Sequence, residues 1–165
     1  MLDDVDNKAV QLLIQDGRAT WADLAQALEL SPPAAADRVR RLEERGVILG
    51  YSAVTSAAAL GLPMTAFVAV TLGSLNGNFK AREEFLEFIR RMEEVQECHH
   101  LAGSDDFLLK VRCSGTEDLE RILIERLRSL PIVTHTRTMV VLGTVKEAPG
   151  MSSVKPAPAR NPAKR

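Results

Sequence analysis

The apolar positions of this chain change their period near its first third. Up to about residue 48 they recur at helical spacing; from residue 64 onward, alternating runs are interleaved with further helical ones. Over residues 3–16, Val5, Ala9, Leu12 and Leu13 form one stripe, Asp3 stands as the N-cap, and Asp4 and Asp6 suit the positive end of the helix dipole. Gly17 ends this helix. Thr20 and Asp23 make a capping-box pair for a second helix, whose Leu24, Ala25 and Leu28 face inward. After a tight turn at Glu29-Leu30, Ser31 caps a third helix with Pro32 at its first position and Gly46 ready for the left-handed conformation beyond its end. Ala35, Val39 and Leu42 are its narrow apolar seam. Three short helices, the last two joined by a short turn, predict a helix-turn-helix. Val47 to Tyr51 is β-prone and reads as a short wing or linker strand. Glu29 is discordant, because it falls where the turn wants a positive φ, at a cost of about 1 kcal/mol for a non-glycine residue.

Gly61-Leu62-Pro63 breaks the pattern. Residues 64–72 then alternate as a strand, with apolar side chains on both faces. Leu75 to Asn78 is a loop; Phe79 to Met92 is a helix with Phe85, Phe88, Ile89 and Met92 inward. Strands are predicted at 95–102 and 107–113, joined by the turn Gly103-Ser104-Asp105-Asp106 as a hairpin. Thr116 is the expected cap of a helix over 117–130, with Leu119, Ile122, Leu123, Leu127 and Leu130 buried and Pro131 as its stop. A last strand spans 133–145. The order β-α-β-β-α-β predicts a ferredoxin-like sandwich with helices on one face of the sheet. Its other face then needs a cover, for which a second copy of the chain is the natural source. The class is therefore α+β: a winged helix-turn-helix at 1–50, a linker strand at 51–63, the ferredoxin-like βαββαβ domain at 64–147, and a disordered basic tail at 148–165, rich in Pro, Ala, Ser, Lys and Arg.

Composition narrows the function. A formal net charge of −1 excludes a protein that coats nucleic acid through bulk charge, so any contact with DNA comes from a local patch. That patch is the outer surface of the third helix, with Arg38, Arg40, Arg41 and Arg45 opposite the apolar seam. Near its start the helix offers Pro33, Ala34, Ala35 and Ala36, which permit methyl contacts to thymine and no bidentate hydrogen bonds; base specificity should be modest and DNA bending important. No apolar run reaches the length of a spanning helix, no signal peptide is apparent, and Cys98 and Cys113 are expected as reduced core residues of a cytoplasmic, nucleoid-associated protein.

Cys98-His99-His100 invites a metal or nucleophile reading. Strand alternation puts Cys98 and His100 on one face and His99 on the other, short of the three or four ligands zinc wants. An enzyme built on Cys98, His99 and Asp106 would need those groups in one cleft, which the same alternation disfavours. No catalytic residue, metal or cofactor is implied.

The order and spacing of Asp16-Gly17-Arg18-Ala19, Asp23-Leu24-Ala25, Leu30-Ser31-Pro32, Arg38-Val39-Arg40-Arg41-Leu42-Glu43, Gly46-Val47-Ile48 and Gly50-Tyr51 resemble the Lrp/AsnC (feast/famine) family of transcription regulators. So do Val95 to His99, Gly103 with Asp106-Phe107-Leu108-Leu109-Lys110-Val111, Leu130-Pro131, Thr136 with Thr138, and Val145-Lys146. The resemblance implies a regulator that binds double-stranded DNA, with an amino-acid effector held between dimers that assemble further, often to octamers; an architectural DNA-binding protein without effector is the alternative. On this reading Thr20, Trp21, Ser31, Pro33, Ala34, Ala35, Arg38, Arg40 and Arg41 face DNA. Carried over, the effector site is Gly103, Ser104, Asp105 and Asp106 with Thr136 and Thr138. Backbone N–H groups of the turn would hold a carboxylate and an aspartate an ammonium group.

Overall fold

The computed structural model describes residues 1–73 and 79–147, so the expected loop at 75–78 and the tail from 148 lie outside the described residues. Two compact units emerge, the first comprising Met1–Val54 and the second Thr55–Val145.

The first unit is three helices, α1 (Asp4–Gln15), α2 (Trp21–Leu28) and α3 (Pro32–Glu44). Local chemistry sets each start. The Asp6 N–H donates to the Asp3 carboxylate at 2.7 Å while the Asp3 N–H donates back to Asp6, a closed capping box. Thr20 and Asp23 repeat the arrangement on α2. Ser31 Oγ accepts the Ala34 N–H at 3.4 Å, with Pro32 at the first position of α3. Between α2 and α3, Glu29 sits at φ 58°, ψ 41°, the left-handed region anticipated for that turn. Gly46 is likewise left-handed, at φ 66°. Ala9, Leu24, Ala25, Leu28, Ala35, Val39 and Leu42 are buried together as the core. Val47 to Tyr51 is not a strand; no strand lies between α3 and residue 64, and Leu49 is 94% exposed. Its β propensity has no neighbouring strand to supply a hydrogen-bond ladder.

The second unit holds β1 (Met64–Leu72), α4 (Phe79–Arg90), β2 (Val95–His100), β3 (Phe107–Cys113), α5 (Thr116–Arg121) and β4 (Val133–Val140). The four strands form an antiparallel sheet in the order β2-β3-β1-β4, the ferredoxin-like arrangement expected. Ala66, Val68 and Val70 of β1 pair with Val111, Leu109 and Phe107 of β3, and this face is buried beneath Phe85, Ile89, Met92, Leu119, Ile122 and Leu127. The second helix differs from expectation at both ends. Gly115, not Thr116, is its N-cap, because Asp118 takes the Ser114 N–H and hydroxyl instead. Beyond Arg121 it widens into a π-helical stretch, Ile122–Leu127, closed by the Arg128 N–H donating to the Leu123 carbonyl at 2.9 Å. β4 stops at Val140 rather than residue 145, since its partner β1 begins at Met64 and the ladder runs out there. Leu142 and Val145, beyond it, are fully exposed. β2 is an edge strand, so Cys98 is exposed and is not the core residue expected; Cys113, on β3, is buried.

The opposite face of the sheet carries Phe67, Ala69 and Thr71 of β1, Leu108 and Lys110 of β3, and Arg137 and Met139 of β4. Among the described residues, the helices of the second unit's core pack on the other face and not on this one.

Candidate functional site

The exterior of α3 is the first candidate surface. Ser31, Pro33 and Ala34 are exposed at its start, as are Thr20 and the half-exposed Trp21 at the start of α2. The Thr20 hydroxyl is also committed to its cap, donating to Asp23 at 2.6 Å and holding that carboxyl below its ordinary range. Ala35 does not belong with them. It has no exposed surface and lies in the core with Val39 and Leu42, because steps of four and three residues bring all three to one side of the helix. It lines the seam and cannot touch a base.

The arginines divide. Arg38 turns toward α1 and donates to Asp3 at 2.6 Å and to Asp6 at 2.8 Å. Asp6 is 6% exposed and also faces Arg45 at 3.5 Å. These carboxylates raise the Arg38 pKa, Asp3 more than Asp6, while the Asp6 N–H and then Arg38 lower that of Asp3. Arg38, expected at phosphates, is a tie between α3 and α1. Arg40 and Arg41 remain on the exterior, and both donate to Asp37, one to each carboxylate oxygen.

The β2–β3 turn is the second candidate. Asp106 is bound into the fold: its carboxylate accepts the Leu72 N–H at 2.7 Å and its own N–H donates to the Val70 carbonyl at 2.9 Å. This clips the turn to the end of β1. Asp105 accepts the Arg137 guanidinium at 2.7 Å and the Thr71 hydroxyl at 3.3 Å. Gly103 and Ser104 are exposed, and a Cβ on Gly103 would meet nothing. The expected set is not brought together as a whole. Thr136 and Thr138 pair with Val70 and Val68, so they lie on the helix-covered side, while Thr71, Asp105 and Arg137 gather at the other. Arg137, between the two threonines, is the residue that sequence reasoning missed. The same alternation that separated Cys98 from His99 would have placed it on the face opposite Thr136 and Thr138.

The histidines of β2 are spent on structure. His100 packs its ring on Phe107, centroids 5.2 Å apart, and His99 pairs with Glu97 at 3.1 Å. That contact and then Lys110 hold the Glu97 carboxyl below its ordinary range. Among the described residues no group of three or more His, Cys, Asp or Glu side chains is placed to hold a metal ion. No helix among them is long and apolar enough to cross a membrane.

Two family models match the chain: the AsnC-type helix-turn-helix domain over residues 2–43 and the Lrp/AsnC ligand binding domain over residues 65–151. It is 41% identical over 146 residues to the proline dehydrogenase transcriptional activator of Rhizobium radiobacter, covering 88% of this chain and 92% of that one. It is 37% identical over 147 residues to the leucine-responsive regulatory protein of Escherichia coli K12, covering 89% and 88%. Among solved structures, a Neisseria meningitidis transcriptional regulator in complex with L-Met aligns with a TM-score of 0.86 at 28% identity, over 92% of this chain and 96% of that one. The feast or famine regulatory protein of Mycobacterium tuberculosis complexed with L-methionine aligns with a TM-score of 0.81 at 37% identity, over 93% and 100%.

Proposed function

The chain belongs to the Lrp/AsnC family of transcriptional regulators, and from that premise we propose that it reads duplex DNA through paired α3 helices and senses an amino acid at the β2–β3 turn. The observation that carries the reading is the presentation of α3. Its seam of Ala35, Val39 and Leu42 is sealed in the core while Ser31, Pro33, Ala34, Arg40 and Arg41 stand outward. A capped helix of this size with exposed guanidinium groups suits a major groove. Thr20, Trp21 and the first turn of α3 make backbone contacts, and Arg40 and Arg41 take phosphates. Arg38 supports the helix from behind.

For the effector, Asp105 holds the ammonium group, and the N–H groups of the exposed Gly103-Ser104 turn take the carboxylate. L-Methionine, present in two of the related structures, is the first effector to test. Thr136 and Thr138, on the other side of β4, shape the strand rather than the ligand. The sheet face bearing Phe67, Leu108 and Met139 is the surface on which a second copy packs, giving a dimer that assembles further, and the protein works on the nucleoid without catalysing a reaction. Fluorescence anisotropy on promoter duplexes, with and without L-methionine, tests the proposal together with calorimetric titration of the same amino acid. Saturable heat and an altered DNA isotherm are expected. DNA binding that ignores every amino acid leaves an architectural protein, and no duplex binding at low ionic strength overturns the reading altogether.

A further inference from the structure

Every charged side chain of α3 already has a partner inside its own unit. Arg38 is held by Asp3 and Asp6, Arg40 by Asp37 and at 3.8 Å by Glu44, Arg41 by Asp37, and Glu43 accepts the Tyr51 hydroxyl at 2.9 Å. With Arg38, Arg40 and Arg41 set against Asp37, Glu43 and Glu44, the helix has no formal net charge. Both arginines left on its exterior lean on one carboxylate. Asp37 precedes them by three and four residues, the spacing at which helix side chains meet. Its side chain is 33% exposed, whereas Arg40 and Arg41 are 66% and 67% exposed, so the acid is the seated member and the two guanidinium groups are the ones free to move away. A carboxylate holding one guanidinium on each oxygen presents what the two free oxygens of a backbone phosphate present.

We infer that Asp37 is an internal competitor for phosphate, occupying in the free protein the two guanidinium groups that duplex DNA takes up on binding. The inference rests on the DNA-reading role proposed above. Its physical consequence is the same for every sequence. Binding to arbitrary sequence is almost wholly phosphate neutralisation, so a competitor on the helix lowers that term directly. Contributions from bending and from paired half-sites do not pass through Arg40 or Arg41 and are left intact. Asp37 therefore lowers the affinity for every duplex without touching a base and leaves occupancy to rest on bending and paired half-sites, which suits a helix whose first turn offers only proline and alanine to the groove.

The test is a cycle on the full chain with Asp37→Asn, Arg40→Gln/Arg41→Gln, and the combination, each checked by circular dichroism and thermal unfolding. Anisotropy on a random-sequence duplex is read between about 50 and 200 mM salt. Asp37→Asn should bind about tenfold more tightly at the low end, with the slope of log K against log salt steeper by roughly one to two. Asp37→Glu should behave as the parent, and the gain should vanish when both arginines are glutamine. If the parent binds duplex and Asp37→Asn matches it in affinity and slope, the competitor role is wrong while DNA reading stands. A gain that persists without the arginines would assign the effect to overall charge and overturn the inference. A loss confined to sequences with G·C pairs would instead make Asp37 a reader of cytosine, which also overturns it. A parent chain that ignores duplex overturns both readings.

Discussion

Arg38 and Arg40 are two residues apart on one helix and should fail in opposite ways when replaced by glutamine. Arg38 makes charge-assisted bonds to Asp6 at 2.8 Å and to Asp3 at 2.6 Å. The Asp6 bond carries the effect, because Asp3 is exposed and solvent replaces its partner. A hydrogen bond to a charged group is worth about 1.5–3 kcal/mol, and the lower end applies because the Arg38 side chain is 30% exposed and Arg45 still stands 3.5 Å from Asp6. For a unit of this size about 1.5 kcal/mol lowers Tm by roughly 6–12 °C. Arg40→Gln removes an exposed ion pair within the helix, worth about 0.2–0.5 kcal/mol, so its Tm should stay within about 4 °C of the parent. DNA affinity should separate the two the other way. At a temperature where both are folded, Arg38→Gln should bind within about threefold of the parent. Arg40→Gln should bind all sequences more weakly and lose up to about one unit of salt slope. Differential scanning calorimetry and anisotropy read the two quantities on the same samples. If Arg38→Gln melts with the parent and loses DNA, its guanidinium leaves Asp3 and Asp6 for phosphate on binding, and the division of labour argued here is wrong.

Glu29→Gly relieves a left-handed residue and should raise the stability of the first unit by about 0.5–1 kcal/mol, read as a shift in the urea midpoint with an unchanged m-value. Tyr51 is the single tyrosine, and its phenol is pushed up to about 12 by burial first and the Glu43 hydrogen bond second. Ultraviolet titration should therefore show ionisation near that value, and Glu43→Gln should bring it down while leaving it above 10, the ordinary value. The linkage has a definite sign: the folded state keeps this proton longer than the unfolded one, so stability falls as pH rises from 10 toward about 12. Asp105→Asn should abolish the heat of amino-acid binding while lowering Tm less than Asp106→Asn does, because Asp106 takes a backbone N–H of β1 at 2.7 Å whereas Asp105 takes the Thr71 hydroxyl at 3.3 Å and an exposed guanidinium. Retained amino-acid binding in that variant would place the effector elsewhere.

What the chain reveals before folding follows the range of the interaction involved. The caps of Asp3, Thr20 and Ser31 act over three residues, and the left-handed turn at Glu29 is a property of four; all were legible. The order of strands and helices along the chain followed from the alternation of helical and period-two segments. Arg38 was not legible, because its partners lie 32 and 35 residues away and helical periodicity places it equally well as a solvated cation. Ala35 was read both as seam and as groove contact, and only the packing of α1 and α2 decides between the two. Cys98 was misplaced because exposure on a strand depends on whether that strand is an edge, which the local pattern does not encode. Thr136 and Thr138 fell on the helix-covered side, and Arg137 on the other, through a register that pairs β4 with β1 across more than sixty residues.

The charge distribution of α3 has a quantitative consequence for how such a protein is regulated. Non-specific binding by ordinary DNA-binding proteins has a Kd of about 10⁻⁴–10⁻⁶ M, and a helix with no net charge on a chain of net charge −1 belongs at the weak end. A single copy would then leave DNA quickly. Joining two readers makes the second contact intramolecular, at an effective concentration in the millimolar range, and multiplies affinity by roughly 10²–10⁴ without any new contact. That factor is available only while the spacing of the two readers matches successive grooves. Under the proposed pairing, an amino acid bound at the β2–β3 turn has to shift only assembly or spacing, and never approach α3, to change occupancy by orders of magnitude. Had α3 carried free arginines in place of the Asp37 pairs, each copy would bind about tenfold more tightly alone, and the same shift would change occupancy over a correspondingly smaller range.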